Sequence, residues 1–379
     1  MRFYLIAGEP SGDKLGAALM AGLKQLLPEV EFFGVGGPLM QAEGLSSLFD
    51  MSELSVMGLA EVLPKLRGLF RRRDECVADI KARHVDALIT IDSPDFCLRV
   101  AKKVSEIPKV HYVAPSVWAW RPGRAEKMRG VVDHVLALLP FEPPYMQAAG
   151  MTCDFVGHPV VSEPVATDAE IEAFRDFYGI GDAQIVLALP GSRAGEVTRL
   201  AGVFGETLSH LERSPDAFRV IVPAAGAVAD LVKAQVKHWP GQPIVLDPRD
   251  RMDWAAWKTA AFGAADVALA ASGTVSLELA ASATPMVIAY DMNWMSRQMI
   301  KRLLRVDTVT LVNLVSETRA VPEFLGENCK PELIAQALIN VMRDPAAQID
   351  ACEVTMDRLG RGGEAPGLRA ARSVLNAIA

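Results

Sequence analysis

Short apolar runs, many rich in β-branched residues, punctuate the chain, and between them apolar positions return every third or fourth residue. In the first half the runs fall at 2–7 (RFYLIA), 31–35 (EFFGV), 86–91 (DALITI), 109–113 (KVHYV), 133–138 (DHVLAL) and 154–157 (DFVG). Runs of this length and apolarity read as strands buried on both faces, and the intervening periodic stretches read as helices. Strand–helix–strand alternation predicts a parallel sheet covered on both sides. The stretch 158–168 (HPVVSEPVATD) interrupts the pattern with prolines and polar residues, so a linker is expected there. A second series follows at 184–189, 218–222, 243–246, 266–270 and 285–289, and the segment from 331 onward is helical throughout. The expected fold is α/β: two doubly wound, Rossmann-like domains facing each other across a cleft, residues 1–160 and 161–379. The C-terminal helices, from about 345, are free to pack back on the first domain.

Length agrees with that division, since 379 residues exceed the ~250–300 at which a single core tends to split. Half the residues are hydrophobic, enough for a large core. A net charge of −7 disfavours a general nucleic-acid binder. The five cysteines (Cys76, Cys97, Cys153, Cys329, Cys352) are odd in number, with no Cys-x-x-Cys pair, and read as reduced thiols of a cytoplasmic protein. No His-x-x-x-His pair signals a metal site. The N-terminal apolar stretch is too short for a signal peptide, and no window approaches the ~18 apolar residues of a membrane span. A soluble or at most peripheral protein is expected.

In open α/β sheets ligands bind beyond the carboxyl ends of strands, so the residues after each strand are the candidates. In the second domain, LPGSRAGEV (189–197) places Gly191, Ser192 and Arg193 at a helix mouth, and ASGTVSLELA (271–280) places Ser272, Gly273 and Thr274 at another. Backbone N–H groups there suit a diphosphate. Glu278, one turn beyond Thr274 on the same face, suits ribose hydroxyls. Taken alone, Ser272–Thr274 is better explained by a plain helix cap beside a solvated Glu278; Arg193 in the matching place after another strand tips the reading to a nucleotide diphosphate. In the first domain the signals are acidic. GEPSGD (8–13), read as a turn with a helix from Lys14, carries Glu9, Ser11, Gly12 and Asp13. IDSPDF (91–96) carries Asp92 and Asp95. An aspartate before a helix is most often a cap. Two acidic strand exits on one rim would repel a diphosphate and suit sugar hydroxyls, beside which a carboxylate can act as a base.

Two further segments have rival explanations. In 112–129, Trp118 and Trp120 precede Arg121, Arg124, Lys127 and Arg129, which fits either a sugar-and-phosphate site or a core tryptophan pair beside a basic helix. In 54–73, Leu59, Val62, Leu63, Leu66, Leu69 and Phe70 form one helical stripe, with Pro64 expected to kink it. Such a stripe is usually a core face. Val56, Met57 and the Arg71–Arg72–Arg73 run also fit a membrane interface.

Taken together, GEPSGD (8–13), GVGGPLMQAEG (34–44), ELSVMGLAEVL (53–63), IDSPDF (91–96), HYVAPSVWAWRPGR (111–124), LPFE (139–142), VGHP (156–159), LPGSRAGEV (189–197), ASGTVSLE (271–278) and PMVIAY (285–290) closely resemble the lipid-A-disaccharide synthase family, in order along most of the chain. The resemblance implies a GT-B glycosyltransferase, with the sugar nucleotide on the C-terminal domain and the acceptor on the N-terminal one. It implies inverting transfer from UDP-2,3-diacylglucosamine to 2,3-diacylglucosamine 1-phosphate (lipid X), releasing UDP, at the inner face of the cytoplasmic membrane. By the same resemblance Asp92 is the base, with Asp95 as alternative. Arg193, Gly191, Ser192, Ser272, Gly273 and Thr274 hold the diphosphate, and Glu278 holds the ribose. Glu9, Ser11, Gly12 and Asp13 border the acceptor or the reacting sugar, and Trp118, Arg121 and Arg124 serve the acceptor phosphate. The 56–70 stripe then meets acyl chains or membrane. No cofactor or metal is called for, no nucleic acid is expected as partner, and homo-oligomer formation is left open. The chain departs from relatives at Phe324-Leu325-Gly326, where a glutamine often follows a Leu-Leu pair. The alternatives are another GT-B enzyme of UDP-N-acetylglucosamine, a non-catalytic sugar-nucleotide binder, and a dinucleotide oxidoreductase. The last is opposed by the missing Gly-x-Gly-x-x-Gly after 2–7.

Overall fold

A computed structural model describes all residues except 55–58, 121–122, 212–217, 272 and 293–305, and it describes 59–66 as helical backbone only. The chain forms two compact units. One comprises Met1–Ser162 with Leu359–Ala379, the other Glu163–Arg358. Of the C-terminal helices, Pro331–Arg343 and Ala346–Arg358 therefore belong to the second unit, and Pro366–Ile378 belongs to the first.

The first unit is built on a seven-stranded parallel sheet: β1 (Arg2–Ala7), β2 (Glu31–Val35), β3 (Ser46–Ser47), β4 (Ala87–Ile91), β5 (Lys109–Tyr112), β6 (His134–Ala137) and β7 (Thr152–Phe155). Its order is β3-β2-β1-β4-β5-β6-β7. The helices are α1 (Pro10–Leu26), α2 (Pro38–Ala42), α3 (Leu59–Arg83), α4 (Pro94–Ala101), α5 (Gly123–Met128) and α6 (Pro143–Ala148). β1 lies between β2 and β4, and Phe3 through Ala7 are all fully buried, as a strand covered on both faces requires. Helix α3 continues through Pro64. The last helix, Pro366–Ile378, packs on α1, where Gly22 and Gly367 let the two backbones approach.

The second unit carries a six-stranded parallel sheet of β8 (Gln184–Leu189), β9 (Phe218–Pro223), β10 (Ile244–Leu246), β11 (Val267–Ala270), β12 (Met286–Tyr290) and β13 (Glu323–Leu325), in the order β10-β9-β8-β11-β12-β13. Its helices include α7 (Asp168–Phe177), α8 (Ala194–Leu211), α9 (Ala229–Val236), α10 (Trp254–Gly263) and α11 (Val275–Ala281). The eleven strands expected from apolar runs are present. The short edge strands β3 and β13 were not expected, because Ser46–Ser47 and Glu323–Leu325 carry no apolar run and pair on one side only.

The core also holds polar groups. His111 on β5 is 1% exposed, and its Nδ1 lies 2.8 Å from Thr90 Oγ1 on β4. Burial pushes its pKa from 6.5 to about 4. Below pH 6.5 the unfolded chain therefore binds a proton that the folded one refuses. Stability should fall as pH drops from 6.5 to 4, by about 3 kcal/mol from this group alone. Urea denaturation across that range should show the fall in wild type and a flatter profile in His111→Gln.

Candidate active site

In the second sheet the chain winds outward from β8 through β9 to β10, then returns to lay β11 on the other side of β8. Loops leaving β8 and β11 diverge, and a crevice opens at that point. A cavity of about 580 Å³ lies there. It is lined by Gly191, Ser192, Arg193 and Glu196 after β8, by Gly273, Thr274 and Glu278 after β11, and by Trp254, Lys258 and Phe262 of α10. The site residues expected in this half are thus brought together, except Ser272, which lies outside the described residues.

The β8 exit depends on one glycine and one carboxylate. Gly191 has φ +125°, and a Cβ there would fall 2.5 Å from Glu196 Cβ. Glu196 Oε2 accepts the N–H of Ser192 at 3.1 Å and of Arg193 at 3.3 Å, while Arg193 Nη1 donates to Oε1 at 3.3 Å. A carboxylate so occupies the mouth of α8, where an anion is favoured. Opposite, Lys258 pairs with Glu278 Oε2. The described cavity thus has two cations, each neutralised by a carboxylate. Glu196 and Lys258 had no assigned role in the sequence. The signal for α10 was present, since Trp254, Lys258 and Phe262 recur at helical spacing, but it resembles an ordinary amphipathic face.

In the first sheet the reversal falls between β1 and β4. GEPSGD follows β1 and IDSPDF follows β4, so the two acidic loops are neighbours. Their contact is close: a Cβ on Gly8 would lie 2.5 Å from Ser93 Oγ. Helix α1 starts at Pro10, with Glu9 as N-cap, and not at Lys14. Proline at the first helical position has no N–H to leave unpaired, which makes this early start natural. Asp92 and Ser93 both hold left-handed backbone, at φ +51° and +42°, and Val113 after β5 does so at φ +84°. Each such residue costs of order 1 kcal/mol or more. The Asp92 N–H donates to Tyr112 O at 2.9 Å, fixing the strained turn to β5. Asp92 is half-buried and Asp95 exposed.

Two residues expected at the substrate have partners within the fold. Asp13 is 3% exposed, and its carboxylate accepts the N–H groups of Gly37, Leu39 and Met40 at 2.9–3.0 Å. It caps α2 from α1, so it shapes the rim from behind. Trp118 is 9% exposed, donates to Glu142 Oε1 at 3.2 Å, and meets Phe141 edge-on with centroids 5.2 Å apart. Its burial and its partners are those of a core tryptophan. Burial pushes the Glu142 carboxyl up to about 7, against the lowering effect of the Leu139 N–H and the Trp118 indole. Arg124 lies 5.9 Å from the Trp120 ring and, with Lys127 and Asp95, lines a second cavity of about 530 Å³ walled by Pro94, Leu98, Pro115 and Met128. Arg121 lies outside the described residues, and Ser11 is exposed while Gly12 is buried.

Of the 56–70 stripe, Val56 and Met57 lie outside the described residues, as do the side chains of Leu59, Val62, Leu63 and Leu66. Leu69 packs on the core, and Phe70 is exposed between Arg73 and Arg99, 5.0 and 5.8 Å from its ring. The arginine run is paired internally: Arg71 and Arg72 with Glu75, Arg72 also with Glu53, and Arg73 with Asp74. Among the described residues no helix is long and apolar enough to cross a membrane.

Two doubly wound parallel sheets, each with its candidate residues at a reversal point, make up the GT-B type of fold. The chain resembles UDP-GlcNAc 2-epimerase from Neisseria meningitidis, solved with UDP-GlcNAc, at TM-score 0.65 and 10% identity over 99% of both chains. It resembles the S. aureus MnaA–UDP structure at TM-score 0.65 and 13% identity, over 98% of this chain and 94% of that one. The family model for lipid-A-disaccharide synthetase matches residues 3–363. Lipid-A-disaccharide synthase of Ruegeria pomeroyi is 62% identical over 384 residues, covering all of this chain and 96% of its own. The chain belongs to the lipid-A-disaccharide synthase family, hexosyltransferases of lipid A biosynthesis.

Asp13→Ala would orphan three N–H groups at the start of α2 and should cost about 3 kcal/mol in denaturant unfolding. Asp13→Asn keeps one acceptor and should cost less. Gly191→Ala, which forces a Cβ against Glu196 at a positive φ, should cost about 1–2 kcal/mol in the same measurement.

Proposed function

We propose that the chain joins UDP-2,3-diacylglucosamine to 2,3-diacylglucosamine 1-phosphate (lipid X), giving a β(1→6)-linked disaccharide 1-phosphate and UDP. The observation that carries the reading is the cavity between the β8 and β11 exits, with Arg193 at one wall and Glu278 at the other. Its volume falls within the 300–1,000 Å³ usual for small-ligand sites. Family membership and the UDP bound to structural relatives support a uridine nucleotide as its occupant.

In this reading Glu278 accepts ribose hydroxyls. Arg193 turns from Glu196 to the diphosphate, and Ser192, Ser272, Gly273 and Thr274 donate hydrogen bonds to it. Glu196 remains satisfied by backbone N–H groups when Arg193 leaves, so the exchange strands no charge. The donor is an α-glycoside and the product β, so a single displacement inverts the anomeric carbon. Asp92 takes the proton of the acceptor 6-hydroxyl as that oxygen attacks, and the electron pair of the broken bond leaves with UDP, stabilised by Arg193. The strained turn at Asp92–Ser93 holds the base in place, with Glu9 and Ser11 bordering the sugar and Asp95 the alternative base. Arg124 and Lys127 meet the acceptor phosphate. Both lipid substrates reach the protein from the cytoplasmic membrane surface, with Phe70 and the 56–66 stretch contacting it. Residues 1–160 act as the acceptor domain.

Purified protein with both substrates in detergent micelles and EDTA should form the disaccharide, followed by mass spectrometry. Asp92→Asn should lower turnover by about 10²–10⁴ while UDP binding is retained. Product made only from non-acylated UDP-N-acetylglucosamine, or UDP binding without turnover, would overturn the assignment. Arg124→Ala should raise the acceptor KM about tenfold and leave the donor KM within about twofold, since one charge-assisted contact is lost.

A further inference from the structure

Lys258 lies on α10, outside both loops that carry the expected nucleotide contacts. Its ammonium pairs with Glu278 Oε2 and sits 5.2 Å from the centroid of the Phe262 ring, one turn further along the same helix. Phe262 is 1% exposed, so that ring is a fixed platform. The ammonium is therefore held by an immobile aromatic face on its own helix and by a carboxylate on another. Both charged side chains are about one-third exposed and line the same cavity. Among the described residues no other group bonds to the Glu278 carboxylate, so Oε1 is its open acceptor.

A lone glutamate at this place would have two defects. Its charge would repel a diphosphate entering the same cavity, and its three side-chain torsions would have to be frozen when the ligand arrives. A cation already bound to one oxygen removes both defects, because it neutralises the group and orders it beforehand. We infer that Lys258 is the positioning residue that aims Glu278 at the sugar ring of the nucleotide, and that the pair sets the preference for a ribose over a deoxyribose diphosphate. This rests on the reading of the cavity as a uridine nucleotide site. The exposed pair contributes little to folding, so its loss should be felt in selectivity and not in stability.

The test is calorimetric titration of the full-length protein with UDP and with 2′,3′-dideoxyuridine 5′-diphosphate. Wild type should prefer UDP by about tenfold or more, because the analogue offers the preset Glu278 carboxylate no hydroxyl to bind. Lys258→Met should reduce that preference to about threefold or less, mainly by weakening UDP, with the thermal midpoint nearly unchanged. Lys258→Arg should restore most of it. Adding Lys258→Met to Glu278→Gln should cost no further selectivity, since the lysine acts through the glutamate. Equal weakening of both ligands by Lys258→Met would overturn the inference and place the lysine on the diphosphate. Wild type binding both ligands equally would overturn it as well. Failure of wild type to bind either ligand would sink the nucleotide reading itself, a result separable from the other two.

Discussion

A parallel strand delivers the loop that follows it to one edge of its sheet, and that directional constraint decides where chemistry can sit in this molecule. The edge alone makes no site. Neighbouring loops normally turn the same way and cover each other, and a crevice opens only where the winding reverses. The reversal comes between β1 and β4 in the first sheet and between β8 and β11 in the second. GEPSGD and IDSPDF leave the first pair, and LPGSRAGEV and ASGTVSLE leave the second. Four segments far apart in sequence become two candidate sites for one topological reason.

Each site is then finished by interactions that are not periodic. In the first unit the Asp13 carboxylate gathers three N–H groups of α2, so the first loop is braced from behind by a charge-assisted cluster. Gly8 lets Ser93 approach, and three non-glycine residues with positive φ stand at the exits of β4 and β5. Strain of this kind persists only where surroundings over-determine it, and here the sheet supplies them. In the second unit the finishing interactions are ion pairs. Glu196 with Arg193 and Glu278 with Lys258 leave the described cavity neutral, with cations that have somewhere to rest before a ligand arrives.

Much of this was legible in the residues. Strands buried on both faces are mostly continuous apolar runs, and β1, β8 and β11 show such runs because a polar side chain without a partner is costly there. The places of Arg193, Glu278 and Asp92 were legible for a different reason: each lies beyond the end of such a run, where a fold of this kind can place ligands. β3 and β13 were illegible, since an edge strand needs no apolar run. The start of α1 at Pro10 was missed because a glycine between two polar residues reads as a turn.

What the sequence by itself determined is the strands that carry apolar runs, the two-part α/β architecture, the family, and the strand exits that are candidates for chemistry, because each depends on local periodicity or on contiguous motifs. Only the tertiary structure decided which member of a motif is available to a ligand. Asp13 and Asp92 look alike in sequence, yet one is buried under three N–H groups and the other stands half-buried on the rim. Trp118 is spent on Glu142 inside the wall, whereas Lys258, unremarked in its helix, meets Glu278 across a cavity. Such differences come from contacts between residues distant along the chain, and no local pattern encodes them.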